Sequence, residues 1–138
     1  MDFSRYGIIF DMDGVLIDTE PLQMQAYNQL FARYRLFLTP EFFRTLIGIS
    51  SRENFRRLKK LFGFQEASDD LFEEKNQIYR QNLSLMLSSQ GSKMANPGII
   101  PFLKALRRSG VRIALASSSP VIDIDLVLDG LQIRDFFE

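Results

Sequence analysis

Two aspartates placed two residues apart, Asp11 and Asp13, end a short apolar run, Ile8-Ile9-Phe10. In extended backbone, residues at this spacing face the same side. The run therefore stops by aiming two carboxylates at one place. One aspartate can attack phosphorus and form an acyl-phosphate. A second beside it can trade a proton with the leaving or attacking oxygen. Mg²⁺ takes one or two carboxylates plus substrate phosphate, so the pair also suits that ion. Gly14 follows, where the chain must turn, and the backbone N–H groups of Gly14 and Val15 could hold a phosphate oxygen. Taken as a bare tetrapeptide, Asp-x-Asp-Gly reads as a turn capped by its own carboxylates. Context changes the reading: the acids stand between a buried strand and a helix, where open α/β sheets bind ligands. A calcium EF-hand fits poorly, because its glycine is sixth between two helices and here glycine is fourth after a strand.

Other residues could serve the same chemistry. Ser117-Ser118-Ser119-Pro120 follows a second apolar run, and hydroxyls beside a helix N-terminus make an anion site. Helix capping by Ser119 is compatible with that, since it leaves Ser117 free. If the two runs are adjacent parallel strands, Ser117 comes near Asp11. In the basic series Arg52, Arg56, Arg57, Lys59, Lys60, most members read as a solvated helix face. Arg52 is set apart by lying at a helix start, where cations are disfavoured. Lys75, in the middle of a long helical pattern, reads by itself as an exposed surface charge.

Composition narrows the chemistry further. With no histidine and no cysteine among 138 residues, imidazole bases, Ser/His/Asp triads, disulfides and thiolate metal sites are excluded. Lys+Arg and Asp+Glu both number 17, so nothing in the net charge favours nucleic acid or an anionic membrane. No apolar run approaches the ~20 residues of a membrane span. The N-terminus lacks a signal-peptide core, so the expected location is the cytoplasm. Hydrophobic residues at 46% and charged residues at 25% describe a globular protein, and thirteen phenylalanines with no tryptophan imply aromatic packing.

The elements that position these residues follow from periodicity and punctuation. Tyr6–Phe10 and Val111–Ala116 read as strands, the first continuous enough for a central parallel strand. Between them, an amphipathic helix starts after Asp18 or Thr19, and Thr39-Pro40 opens a short one that Gly48 ends. Ser50 and Glu53 form a capping box for a helix closed by Gly63. Ser68-Asp69-Asp70 starts a long helix to about Met86, before a polar loop from Ser88 to Asn96. Pro97-Gly98 opens a further helix, and Ser119-Pro120 caps a last one that Gly130 stops. From Asp11 to Gly110 lie roughly 100 residues, almost all helical in pattern, although a βαβ crossover needs only about 10–12. A helical domain is therefore inserted between the strands. The expected fold is α/β: an incomplete Rossmann-like parallel-sheet core over 1–17 and 93–138, with an α-helical bundle cap over 18–92. Two parallel strands alone are a marginal sheet. Exposed strand edges should also let such a piece self-associate.

The segment Asp11-Met12-Asp13-Gly14-Val15-Leu16-Ile17-Asp18-Thr19-Glu20 resembles the first motif of the haloacid dehalogenase superfamily of phosphohydrolases. The likeness is to the β-phosphoglucomutase-like branch, whose helical cap is inserted after the first strand. Ile113 to Ser119 resembles the second motif, and Gly48 to Glu53 and Pro97-Gly98-Ile99 resemble cap and hinge segments. The resemblance implies that Asp11 is the nucleophile and Asp13 the general acid/base. Both would also contribute to a Mg²⁺ site, Asp13 through its carbonyl. Gly14 and Val15 would offer amides to the phosphoryl group, and Ser117 with Ser118 would bind it. A cap arginine and lysine would meet the substrate's other end, matching Arg52 and Lys75. The later motifs, a lysine and further metal-binding acids, would fall beyond Glu138, which suggests a C-terminally truncated chain, inactive alone. At Gln23 mutases of this branch carry a histidine, and a glutamine cannot titrate.

These points lead to an expected Mg²⁺-dependent phosphatase acting on a small phosphorylated metabolite such as a sugar phosphate. A sugar-phosphate mutase is the nearest alternative. A non-catalytic binding module is a third, if 138 residues is the natural length. Neither nucleic acid nor membrane is an expected partner.

Overall fold

The apolar run Gly7–Phe10 forms strand β1 and Arg112–Leu115 forms strand β2, in a computed structural model that describes residues 5–138. The strands pair in parallel, with Gly7 opposite Arg112, Ile8 opposite Ile113, Ile9 opposite Ala114 and Phe10 opposite Leu115. Four helices lie between β1 and the crossover: α1 (Glu20–Ala32), α2 (Pro40–Arg44), α3 (Ser51–Phe62) and α4 (Ser68–Gln90). Helix α5 (Ile99–Arg108) is the crossover, and α6 (Val121–Gly130) follows β2. No helix among the described residues is long and apolar enough to cross a membrane.

The chain divides into two compact units. One is the chain up to Glu20 together with Leu83–Glu138, and the other is Pro21–Asn82. Helix α4 does not stop near Met86, as its pattern suggests, but runs on to Gln90, followed by a 3₁₀ turn over Gly91–Met94. The serines at 88 and 89 look like loop, yet Leu83 and Leu87 beside them are buried and carry the helix forward. Leu87 lies so close to α6 that a Cβ on Gly130 would sit 2.8 Å from its Cβ and both Cδ atoms. Gly130 is therefore a packing residue within α6 rather than its terminator. Leu131 caps the helix and Gln132, at φ 58°, turns the chain away.

In the strand-bearing unit, Phe10, Leu103, Ile113, Val127, Leu131 and Ile133 form buried apolar positions. Phe10 meets Phe102 and Phe137 edge-on, at centroid separations of 6.0 and 6.4 Å. β1 is not buried on both faces as its composition suggests: Ile9 is 71% exposed. The sheet formed by the described residues has two strands. At the other edge of β2, the Glu138 amide donates to the Ile113 carbonyl at 3.0 Å, and Arg112 pairs with the Glu138 carboxylate at 2.8 Å.

The helical unit shows the caps its sequence predicts. Thr39 Oγ1 accepts the Phe42 amide at 3.2 Å, Ser50 Oγ accepts the Glu53 amide at 3.3 Å, and Gly63 closes α3 in the left-handed conformation. Gly48 lies beyond the end of α2, in the turn toward α3. The core is built of Leu30, Phe31, Phe43, Phe55, Leu58, Phe64 and Leu71. Tyr27 stacks on Phe55 at 5.2 Å and 9°, and Phe31 meets Phe55 and Phe62 edge-on. Such pairs contribute about 0.5–1.5 kcal/mol each beyond the area they bury.

Candidate active site

Asp11 is the first residue past β1, and the alternation of the strand persists through it. Met12 is wholly buried, so the flanking Asp11 and Asp13 face the other way, Asp11 exposed and Asp13 partly covered. Asp11 Oδ1 accepts the Met12 amide at 2.7 Å. Both oxygens of Asp13 are engaged: Oδ1 accepts the Thr19 hydroxyl at 2.7 Å and Oδ2 accepts the Ser119 hydroxyl at 2.6 Å. The two carboxylates are thereby distinguished, one open and one held.

The turn after Asp13 is tightly bonded. Gly14 sits at φ 77°, a left-handed conformation that other residues adopt at a cost. Its amide donates to the Ile17 carbonyl at 2.8 Å, and the Val15 and Leu16 amides donate to Met12 at 3.2 and 2.9 Å. In this conformation the Gly14 and Val15 amides would have to leave those acceptors before holding a phosphate oxygen. From the other side Asn96 ties the turn down. Its Nδ2 donates to the Gly14 and Val15 carbonyls at 3.1 and 2.9 Å, and its own amide donates to Leu16 at 2.9 Å.

The parallel ladder brings the second motif to the same end of the sheet. The Ala116 amide donates to the Phe10 carbonyl at 2.8 Å, which sets Ala116 beside the start of the Asp11 segment. Ser117 Oγ accepts the Ser119 amide at 3.1 Å, and Ser118 is exposed. Capping by Ser119 is not what happens. Pro120 is the N-cap of α6 with no side-chain cap bond, and the Ser119 hydroxyl goes to Asp13 instead. A charged acceptor makes the stronger bond.

The remaining predicted residues belong to the helical unit. Lys75 is not a surface charge: it is 1% exposed, its Nζ donates to Gln23 Oε1 at 2.8 Å, and it lies 5.2 Å from the Tyr27 ring centre and 5.8 Å from that of Tyr79. Arg52 is half exposed. It pairs with Asp69 at 2.8 Å and Glu73 at 3.6 Å, and its guanidinium lies 4.6 Å over the Phe72 ring. Of the basic series, Arg56 and Arg57 pair with Glu53 on the surface and hold its carboxyl below the usual range. Lys59 departs from the solvated face, donating to the Phe64, Gln65 and Glu66 carbonyls. The buried hydroxyl of Tyr27 has no well-formed hydrogen bond. Burial pushes it up to about 12, against the lowering influence of Asn54 and Ser51.

Three residues gain weight that the sequence alone did not give them: Thr19 and Ser119, read as caps, and Asn96, read as loop. The available signal was their position, each a polar side chain directly flanking a motif. For a hard cation the donors here are oxygens, as Mg²⁺ prefers. With both Asp13 carboxylate oxygens taken by hydroxyls, its carbonyl remains, and among the described residues that carbonyl accepts no hydrogen bond. Among the described residues no three or more His, Cys, Asp or Glu are grouped so that they could hold a metal ion by themselves.

Residues 8–138 match the haloacid dehalogenase-like hydrolase family. A phosphorylated carbohydrates phosphatase of Thermotoga maritima is 28% identical over 136 residues, covering 96% of this chain and 58% of that protein. The β-phosphoglucomutase of Bacillus subtilis is 28% identical over 115 residues, covering 82% of this chain and 50% of its own length. In three dimensions, β-phosphoglucomutase from Clostridium difficile matches with a TM-score of 0.75 at 27% identity, over 100% of this chain and 60% of that one. The chain thus spans between 50% and 60% of these proteins. Paired strands that end in an aspartate pair and a serine run, with a helical insert between them, are what that family match covers, and the chain belongs to the haloacid dehalogenase-like hydrolases.

Proposed function

We propose that the whole protein hydrolyses the phosphate ester of a small metabolite, a sugar phosphate being the best-supported class. The observation that carries this is the division between the two carboxylates: Asp11 is open to an incoming phosphorus, while Asp13 is held by Thr19 and Ser119. A carboxylate oxygen of Asp11 attacks phosphorus in line. The bond from phosphorus to the leaving oxygen breaks, and that oxygen takes the proton carried by Asp13. Water then attacks the aspartyl-phosphate and gives a proton to Asp13. The bond from phosphorus to Asp11 breaks, releasing inorganic phosphate. The Asp11 carboxylate and the Asp13 carbonyl would hold Mg²⁺, which when bound neutralises charge on the transferring group. Ser117, two residues past the end of β2, would meet the same phosphate.

The relative from Thermotoga maritima, named for phosphorylated carbohydrates, supports the substrate class. The β-phosphoglucomutase relatives support a second reading, in which the phosphoryl group returns to a sugar hydroxyl. Gln23 weighs toward hydrolysis, because its side-chain amide, which accepts from Lys75, cannot act as a titrating acid or base. The test compares the whole gene product with its Asp11→Asn variant on glucose 6-phosphate in the presence of Mg²⁺. Loss of phosphate release by at least about 10³-fold is expected of a missing nucleophile, and equal rates would sink the proposal. With β-glucose 1-phosphate, free phosphate marks a phosphatase and glucose 6-phosphate marks a mutase.

A further inference from the structure

The second motif holds a hydroxyl that the following helix does not use as its cap. We infer that Ser119 is a positioning residue for Asp13, an inference that rests on the acid/base role proposed above. Its geometry is specific. Ser119 precedes Pro120, whose ring fixes φ at −54° and which has no N–H to give. The Ser119 amide is tied to Ser117 Oγ at 3.1 Å, and the hydroxyl reaches across to Asp13 Oδ2 at 2.6 Å, 106 residues earlier in the chain. Thr19, only six residues from Asp13, holds the other oxygen at 2.7 Å and is itself 4% exposed. Two short bonds to the two oxygens of one carboxylate fix both its place and the plane in which it lies.

A hydroxyl has one hydrogen to give, and Ser119 gives it to Oδ2, a bond that an alanine cannot make and a threonine can. Ser119 also joins the carboxylate to the segment carrying Ser117, so one short stretch sets the phosphate wall and the proton carrier together. Thr19 lacks this second connection, because it lies on the same turn as Asp13.

The test uses the whole gene product with Mg²⁺ and p-nitrophenyl phosphate, whose leaving group departs without a proton. In Ser119→Ala the pre-steady-state burst of p-nitrophenol should persist, because Asp11 still attacks. Steady turnover, which needs Asp13 to accept a proton from water, should fall by about 10–100-fold with KM within about twofold, the scale expected when a reacting group is misplaced by about 1 Å. Ser119→Thr keeps the hydroxyl and should restore most of the rate. Turnover of Ser119→Ala within about twofold of wild type would overturn the inference, as would loss of burst and turnover together with no rescue by threonine. Asp11→Asn separates the two claims: if it turns over like wild type, the hydrolase reading itself fails. A crystal structure of Ser119→Ala supplies a readout that needs no activity. Asp13 leaving its position supports the role, and Asp13 unmoved overturns it.

Discussion

Asn96 offers the sharpest test of how the aspartate segment is held. Its side-chain amide donates to the Gly14 and Val15 carbonyls at 3.1 and 2.9 Å, while its backbone amide bonds Leu16 whatever the side chain. Each such bond contributes about 0.5–1.5 kcal/mol net, and the partial exposure of Asn96 lets water replace some of that. Asn96→Ala should therefore cost about 1–2 kcal/mol. Asn96→Asp has nearly the same shape but turns a double donor into a carboxylate facing two carbonyl oxygens, and should cost more, about 2–3 kcal/mol. Urea unfolding followed by circular dichroism gives the global figure. Amide hydrogen exchange at Gly14, Val15 and Leu16 gives the local one, with exchange about 5–30-fold faster in Asn96→Ala. An Asn96→Asp protein as stable as wild type, or less affected than Asn96→Ala, would refute the assigned donor role.

Other substitutions test other levels of the structure. Gly130→Ala should cost about 1–3 kcal/mol, because its new Cβ meets Leu87 at 2.8 Å, and Leu87→Ala in the same chain should recover part of that loss in urea unfolding. Phe31→Ala removes a wholly buried ring from the helical core and should cost about 3–5 kcal/mol, read from the same unfolding curves. Tyr27 gives a pH dependence. Its hydroxyl keeps its proton to about 12 when folded against an ordinary 10.0, so the folded state binds that proton more tightly. Stability from this group is whole below the ordinary value and falls as pH rises from there through about 12, by about 2–3 kcal/mol in all. Tyr27→Phe keeps the stack on Phe55 and should flatten that alkaline slope in unfolding midpoints measured above and below pH 10.

What the sequence discloses is what is local. Asp11 and Asp13 are legible because a period of two needs only adjacent residues, and the buried Met12 between them confirms it. The caps Thr39 and Ser50 are equally local, each bonding an amide three residues on. The insert is legible from its length alone. Burial of Lys75 is not, since a charge in a helix usually finds water, and here Gln23 and the Tyr27 ring from another helix enclose it, with Tyr79 one turn further along its own helix. Ser119 misleads for a related reason. A serine before Pro and a helix reads as a cap, and only the fold supplies the carboxylate that outcompetes the helix end. Gly130 carries the ordinary signature of a helix stop, while its actual constraint is a leucine on another helix. In each case the deciding partner is distant in the chain.

The 106 residues that separate Asp13 from Ser119 also impose an order of events on synthesis. β1 leaves the ribosome well before β2, the strand it pairs with, because β2 is made only after the whole helical insert. At about 5–20 residues per second, the carboxylates of Asp11 and Asp13 precede their serine partners by about 5–20 s. In that interval the helical unit, whose core draws only on its own contiguous stretch, can already close around Phe31 and Phe55. Its folding shortens the effective loop between the strands and lowers the entropy that their pairing must overcome. The insert thus acts on the chemistry before any substrate arrives, as the tether that lets two distant motifs meet.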